Sequence, residues 1–585
     1  MRIITFVTFT IFPIFILLSS CSLAPHKIVE VSPLLDKLDL TKWTPWEFKY
    51  RMSLNGIHTI DTRGIQVKNE GVILKNVGTK NIESPWVVLN NKRDWFNIDR
   101  IVYSAIGEEI DPKKKAFKIW KFVLNNRYHD APAEGGAEIH DPVKYLNIYG
   151  YGICDDSARN AGVLFIRAGL KARTWGLSGH VIPEVYYNDD WHILDPDHGV
   201  FYPELDKITL ASVKDCENDG RIVRRISGTR IEKLYTSSDN NYSSDYFLKK
   251  FHDMSMILRP NESCERYFSN IGKHHDYYDN NKPRYDYFYG NGKIIYHPDL
   301  TSSDFLGGFE VSENIRLPNT SNSPLVQVKN PALPGTLVCK MESPYVFVGG
   351  EIYIKLETST KENSLKVEFS KDDWKWKEVQ GAINKTDGKR FYDIDPYIAT
   401  NKRSACYKFW VKVILNNDNS NVGLNDLKIT ADIQYAPKSL PIIGSNRINK
   451  SSIKMNTADS ELEITHLCKL RKGYFVSNKT MITSHENNCL INTTSPVFKW
   501  KLEKSNNEVV LSQVIISWDK EGVLPVSPTL SKFLKDGSCN WKVPKGWLIN
   551  GKKYYFSVRS KTNTGSWSRW SFPLGFIISN SEKMK

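Results

Sequence analysis

The sequence predicts a multidomain, β-rich chain in which one α+β domain is followed by β-sandwich domains. Three observations carry that expectation. The chain of 585 residues is longer than one hydrophobic core organises, and its 41% hydrophobic and 12% aromatic content is that of a folded protein. Helical periodicity is strong at 111–124 and again at 154–168. Beyond residue 250, short alternating apolar runs broken by turn residues take over.

In order, residues 1–20 read as an export signal and 21–100 as a tether with an N-terminal β-rich segment. Residues 101–245 form the α+β domain, and 246–330 a β-rich connection. Residues 331–445 are a sandwich, 446–489 a linker or β segment, and 490–580 a second sandwich. The export signal is a single Arg2 followed by an uncharged apolar run at 3–18, too short to span a bilayer. It ends in Leu18-Ser19-Ser20-Cys21, which resembles a bacterial lipobox. That resemblance implies cleavage before Cys21, lipidation of its sulfur and a membrane-anchored mature chain. Ser22 is not an aspartate, which by analogy favours the outer membrane of the cell envelope. The alternative is an ordinary secretory signal with a chance cysteine.

Nine cysteines are present, and none has a CxxC or Cys/His metal spacing, so no metal site and no cofactor is expected. Export permits disulfides, and Cys468/Cys489 or Cys339/Cys406 are pairs that could form within a domain. The formal net charge is +14, but the lysines are scattered among asparagines and isoleucines rather than gathered in one tract. No nucleic-acid motif accompanies them, so nucleic acid is not an expected partner.

Before the α+β domain, Gly71-Val72-Ile73-Leu74 and Trp86-Val87-Val88-Leu89 read as strands. Asp111 is placed as a helix N-cap with Pro112 at the first helical position, and Ala116, Ile119, Trp120, Val123 and Leu124 follow at helical spacing. A polar loop with Gly135-Gly136 and His140-Asp141-Pro142 leads to the most chemically loaded stretch, residues 149–197. There a glycine-hinged approach, Tyr149-Gly150-Tyr151-Gly152-Ile153, delivers Cys154 to a helix start. Ala158, Ala161, Leu164, Phe165 and Ala168 share one face of that helix, which Gly169 ends. A thiol at a helix N-terminus sits among free backbone N–H groups, which favour a thiolate and could hold an oxyanion. Asp155 and Asp156 oppose a thiolate, so a cationic partner is required.

His180 and Asp195 supply the rest. Residues 180–187 and 191–195 read as two strands around a turn at Asn188-Asp189-Asp190. If Tyr187 pairs with Asp190, Asp195 falls opposite Ile182 and becomes the diagonal neighbour of His180 on the same face. His180 would then serve as base and acid, with Asp195 orienting its ring. His192 should face away, and His198 lies beyond the Asp195-Pro196 turn. A metal held by His192, Asp195, Asp197 and His198 fits no standard spacing.

Gly152-x-Cys154, Ala158, Gly169-Leu170-x-Ala172-Arg173, Gly179-His180, Glu184-Val185, Trp191 and Asp195-Pro196 together resemble the bacterial transglutaminase-like superfamily. The resemblance covers about residues 111–202 and implies an α+β, papain-like catalytic fold with Cys154 as nucleophile, His180 as base and Asp195 as orienter. Some members use an upstream indole as an oxyanion donor, for which Trp120 and Trp175 are the candidates. Glu184 shares the face of His180 and is expected to support the hairpin electrostatically. Ile182 stands where an aromatic is common, which bears on the acyl pocket.

The activity implied is amide chemistry through a thioester, most simply by a cysteine peptidase or amidase on a protein, peptide or glycopeptide substrate. The alternatives are a crosslinking transglutaminase and a non-catalytic surface-binding lipoprotein. At the C-terminus, Leu548, Gly551, Tyr554 and Val558 resemble fibronectin type III positions. Trp567-Ser568-Arg569-Trp570-Ser571 is similar to a WSxWS box, in which tryptophans and cationic side chains stack on a sandwich face. The β domains either contact substrate, including glycan, or act as a spacer.

Overall fold

A computed structural model of the protein describes residues 41–579 and the two-residue strand Ile28–Val29. Positions 132–137, 244–246, 248, 276–284, 318–323, 358–363, 384–387, 400–403, 417–422, 458–459, 474–478, 504–507, 536 and 564–566 are outside that description. Cys21 and the export segment also lie outside the described residues. No described helix is long and apolar enough to cross a membrane.

The α+β region forms where the helical and alternating patterns place it. The helix Pro112–Asn126 starts at Asp111, whose Oδ1 accepts from Lys114 N at 2.8 Å. Its stripe of Ala116, Ile119, Trp120 and Val123 is buried. The helix Cys154–Arg167 packs between that helix and an antiparallel sheet. In that sheet the order is Asp190–Ile193, His180–Tyr187, Lys171–Leu177 and Asn241–Ser243. Gly169, at φ 86°, turns the chain from the helix into the sheet, a backbone conformation that favours glycine. The helices Val213–Asn218 and Arg221–Tyr235 follow, and Val213 and Val223 join Trp175, Ile182, Ile193 and Tyr235 in one buried cluster.

The rest of the chain is strand-rich and multidomain. Fifteen described strands form one large sheet, whose main path begins with Thr44–Met52, Leu462–Lys472, Ile65–Asn76, Glu262–Tyr267 and Gly290–Tyr296. It continues through Gly423–Tyr435, Gly335–Leu356, Cys406–Leu415, Leu365–Ser370 and Lys377–Glu378. A separate four-stranded sheet orders Ile28–Val29, Ile57–Asp61, Ile448–Lys454 and Trp86–Leu89. Strands from the segments read as 21–100, 246–330, 331–445 and 446–489 therefore share sheets, with Thr44–Met52 paired antiparallel to Leu462–Lys472.

All eight described cysteines are free thiols, so the two candidate disulfides do not form. Register explains one case: Cys339 pairs with Val411 and Cys406 with Phe347, at different points along the same two strands. In the other case, Cys468 is in the large sheet and Cys489 in the C-terminal sandwich.

That sandwich packs a five-stranded sheet on a three-stranded one, starting at Thr480–Ile482 and so before the expected residue 490. Tyr554 accepts a bond from Ile549 N at 2.9 Å. The Arg559 guanidinium lies 4.7 Å from the Trp567 ring and 4.9 Å from the Trp570 ring, the expected stack of a cation between indoles. Ser571 N donates to Val558 O at 2.8 Å and Ser568 N to Ser560 O at 2.8 Å, fastening this motif to the neighbouring strand. The sandwich leans on the α+β region: Lys121 Nζ donates to Gly522 O at 2.7 Å and Val523 O at 3.0 Å. Arg225 lies 4.9 Å over the Trp547 ring.

Candidate active site

The approach to Cys154 is fixed by close packing. A π-helical turn, Tyr145–Tyr149, ends at Gly150 with φ 74°, and Tyr151–Gly152 then pairs in parallel with Tyr128–His129. A Cβ on Gly152 would stand 2.8 Å from Asp156 Cβ and 2.9 Å from Tyr145 Cε2. Asp156, at the third helical position, reaches back and accepts from Ile153 N at 2.8 Å. The first intrahelical bond is Ser157 N to Ile153 O at 3.1 Å, so Cys154 stands in the first turn, half-buried. Gly152→Ala is expected to displace this turn. The protein should lose about 1–3 kcal/mol of stability in urea titrations, the usual range for forcing extra atoms into a packed site, and Cys154 should alkylate more slowly.

His180 and Asp195 meet as strand phasing requires. The observed register pairs Tyr187 with Asp190 and Glu184 with Ile193. Asn188 at φ 50° and Asp189 at φ 63° provide the two left-handed residues of a tight hairpin turn. His180 Nε2 is 2.9 Å from Asp195 Oδ2, and both side chains are buried. Burial alone would lower the His180 pKa. The hydrogen bonds and charges of Asp195 and Cys154, the two groups flanking the ring, overcome this and raise it to about 10. The imidazole is thus hydrogen-bonded to the carboxylate and close enough to Cys154 for the thiol to act on its charge. Asp195 Oδ1 accepts from Asp197 N at 2.7 Å and His198 N at 3.3 Å, which locks the carboxylate.

Neither expected oxyanion indole is available. Trp120 Nε1 donates to the Asp195 carbonyl at 2.8 Å, so Trp120 holds the carboxylate's backbone from the helix core. Trp175 Nε1 donates to Glu184 Oε2 at 2.6 Å. Glu184 is fully buried and also receives Arg173 Nε at 2.5 Å and Val213 N at 2.6 Å, joining hairpin to helix as a structural carboxylate.

Of the competing histidines, His192 faces away, with Nδ1 2.7 Å from Leu210 O. His198, which the sequence puts past the turn, instead stacks on His180 with centroids 4.1 Å apart at 16°. Burial lowers the His198 pKa; the charge of Asp195, 3.5 Å from its Nδ1, opposes this and that of His180 adds to it. Asp197 is held below the usual carboxylate range, against its burial, by Arg127 and His129, each 2.7 Å from its Oδ1. Arg127 also donates to Pro196 O at 2.9 Å and Gly152 O at 3.3 Å, tying the aspartate turn to the cysteine turn.

His140 Nε2 lies 3.2 Å from Asp155 Oδ2 and 3.2 Å from Asp156 Oδ1, and Arg159 Nε lies 2.7 Å from Asp155 Oδ1. Arg127, His129 and His140 carry no local signal of these roles, because their partners are 15 to 70 residues away. The potential metal-ligating groups among the described residues are His180/Asp197/His198 and His140/Asp155/Asp156. In the first, Asp197 is already paired with Arg127, and in the second, Asp155 is paired with Arg159. A cavity of about 890 Å³, lined among others by His252, Arg259, Glu262, Lys340, Glu342 and Tyr407, includes none of Cys154, His180 and Asp195.

Residues 478–578 match the family described as Rha78A-like, N-terminal immunoglobulin domain. The C-terminal sandwich is immunoglobulin-like. The family named is thus an immunoglobulin domain, where Leu548, Gly551, Tyr554 and Val558 had suggested a fibronectin type III module. No curated protein matches the chain. Among solved structures, the chain is similar to a beta-1,2-glucanase from Parabacteroides distasonis at 10% identity and TM-score 0.14, covering 53% of this chain and 38% of that one. It is also similar to the Spr0440 glycoside hydrolase domain, Endo-D, from Streptococcus pneumoniae R6, at 10% identity and TM-score 0.12, covering 50% and 34%. The chain spans little more than a third of the length of these structures, and likeness at that level carries no argument about activity.

Proposed function

We propose that the protein is an exported, lipid-anchored enzyme of transglutaminase-like type that acts on amide bonds through Cys154, His180 and Asp195. Cleavage by water, as in a cysteine peptidase or amidase, is the favoured outcome. The observation that carries this reading is His180 Nε2 held 2.9 Å from the buried Asp195 carboxylate, with Cys154 in the first turn of the neighbouring helix; the two together raise the ring's pKa to about 10 against its burial. A ring so held is a proton donor at neutral pH. The Cys154 thiolate adds to the amide carbonyl, forming a C–S bond. Backbone N–H groups of the first helical turn stabilise the oxyanion. The C–N bond then breaks as His180 gives its proton to the leaving amine. Water attacks the thioester, His180 takes its proton, and the carboxylic acid leaves as the thiolate re-forms. Asp195 keeps the ring oriented throughout.

The resemblance of Leu18-Ser19-Ser20-Cys21 to a lipobox supports a cell-envelope location for this chemistry, with Cys21 as the lipidated residue. A protein, peptide or glycopeptide is the substrate class, and the β domains are available to contact its polypeptide or glycan portion.

The test compares wild type with Cys154→Ala on envelope proteins and glycopeptides, with a labelled primary amine present. New carboxyl ends, or ammonia release without amine incorporation, that depend on Cys154 support the hydrolase. Cys154-dependent amine incorporation would replace it with a crosslinking transglutaminase. Identical products from the two proteins would leave a binding lipoprotein as the reading.

A further inference from the structure

We infer that His140 is a positioning residue for the nucleophile: it offsets the two carboxylates that follow Cys154 and so permits a thiolate at that helix start. The inference rests on the proposed thiol chemistry. Cys154 is followed by Asp155 and Asp156, and two adjacent anions oppose ionisation of a neighbouring thiol. Asp156 is committed to the turn through its bond to Ile153 N at 2.8 Å and is buried, so the fold retains it. Arg159 Nε reaches Asp155 Oδ1 at 2.7 Å. Among the described contacts of these two carboxylates, the nucleophile helix itself supplies one cation, Arg159 on Asp155. His140, from the preceding loop, contacts one oxygen of each carboxylate at 3.2 Å. With its ring protonated, two cations balance two anions.

The contacts favour that protonated form. Burial lowers the His140 pKa, but the bonds to Asp155 and Asp156 outweigh it and leave it raised. The described charged neighbours of His140 in that loop, Glu138 and Asp141, are occupied elsewhere. Glu138 bonds Lys144 Nζ at 2.5 Å and accepts from Tyr149 Oη at 3.0 Å. Asp141 accepts from Val143 N at 2.8 Å and from His252 N at 2.6 Å. Among the described residues of the loop, His140 is the one whose charge reaches the carboxylates of the nucleophile helix. It differs from His180 in touching the carboxylates and not the thiol.

The experiment follows iodoacetamide alkylation of Cys154 in the full chain, by peptide mass spectrometry, from pH 5 to 10. Expected for His140→Ala is a profile displaced to higher pH, with alkylation on its acid side slowed about tenfold, the effect of losing one close opposite charge. His140→Gln, which keeps size and hydrogen bonding but not charge, should show the same displacement. Adding Asp155→Asn to either variant should move the profile back. In the wild-type background, Asp155→Asn alone should move it to lower pH, a readout that holds even if the His140 variants do not fold. An unchanged profile in the His140 variants, or a slowing that Asp155→Asn fails to relieve, overturns the inference. Wild-type Cys154 reacting no faster than in denatured protein would instead overturn the thiol reading on which it rests.

Discussion

Asp195→Asn is expected to lower Cys154-dependent turnover by about 10³–10⁴-fold, the scale seen when a triad carboxylate is replaced by its amide. The cause is geometric as well as electrostatic. Asp195 Oδ2 is 2.9 Å from His180 Nε2, and Oδ1 is already taken by the N–H groups of Asp197 and His198. An asparagine that keeps those two bonds turns its NH₂ toward the ring. This forces His180 into the tautomer that cannot donate at Nε2, and it removes the charge that helps hold the His180 pKa near 10. An NMR titration of the His180 ring should show the midpoint moving from about 10 toward the ordinary histidine value.

The same shift sets a stability profile. Because the folded pKa is raised above the unfolded one, the stabilisation is fully present below the unfolded value of 6.5. It is lost as pH rises through about 10. Urea midpoints of the wild type should fall across that window, and those of Asp195→Asn should fall less. Equal turnover in the two proteins would remove Asp195 from the mechanism.

Glu184→Ala is expected to give the largest loss of stability, about 3–5 kcal/mol, the usual consequence of removing one member of a buried ion pair. Glu184 is fully buried, and three donors converge on it: Arg173 Nε at 2.5 Å, Trp175 Nε1 at 2.6 Å and Val213 N at 2.6 Å. Removing the carboxylate strands these donors in a packed interior, where each unmet donor is costly. Because the three belong to the strand Lys171–Leu177 and the helix Val213–Asn218, hydrogen exchange should accelerate there first. Exchange in the strand Lys553–Thr562 of the C-terminal sandwich should be unchanged. A loss below about 1 kcal/mol, the level of an ordinary exposed pair, would show that the carboxylate is not the tie between hairpin and helix.

The parts of the site that were legible in the sequence are those fixed by short-range geometry. Helical spacing after Ile153 put Cys154 in a first turn, and a Tyr187–Asp190 pairing across the Asn188-Asp189-Asp190 turn gave a register that carries His180 to Asp195. What was not legible depends on long-range packing. Trp120 lies on an apolar helical stripe, so its burial was readable. That its indole N–H goes to the Asp195 carbonyl was not, because the partner is 75 residues away. The same holds for Arg127 and His129 on Asp197, and for His140 on Asp155 and Asp156. His198 was set aside because it follows a turn, yet the bridge between Asp195 and Val200 folds that turn back onto the hairpin. At the level of the fold, alternation identified strands without saying which ones pair. Tyr50 lies opposite Ile464 across more than 400 residues, and no local pattern encodes such a partnership.

The central claim is that the fold turns Cys154 into a nucleophile through His180. Its most direct test is the rate of Cys154 alkylation at pH 7 in native wild type, native His180→Ala and urea-denatured wild type. The account expects the native wild type to react at least about tenfold faster than the denatured chain, as a thiolate stabilised by a close imidazolium should, and expects His180→Ala to lose that advantage. A native rate equal to the denatured one, or a rate indifferent to His180, would contradict it.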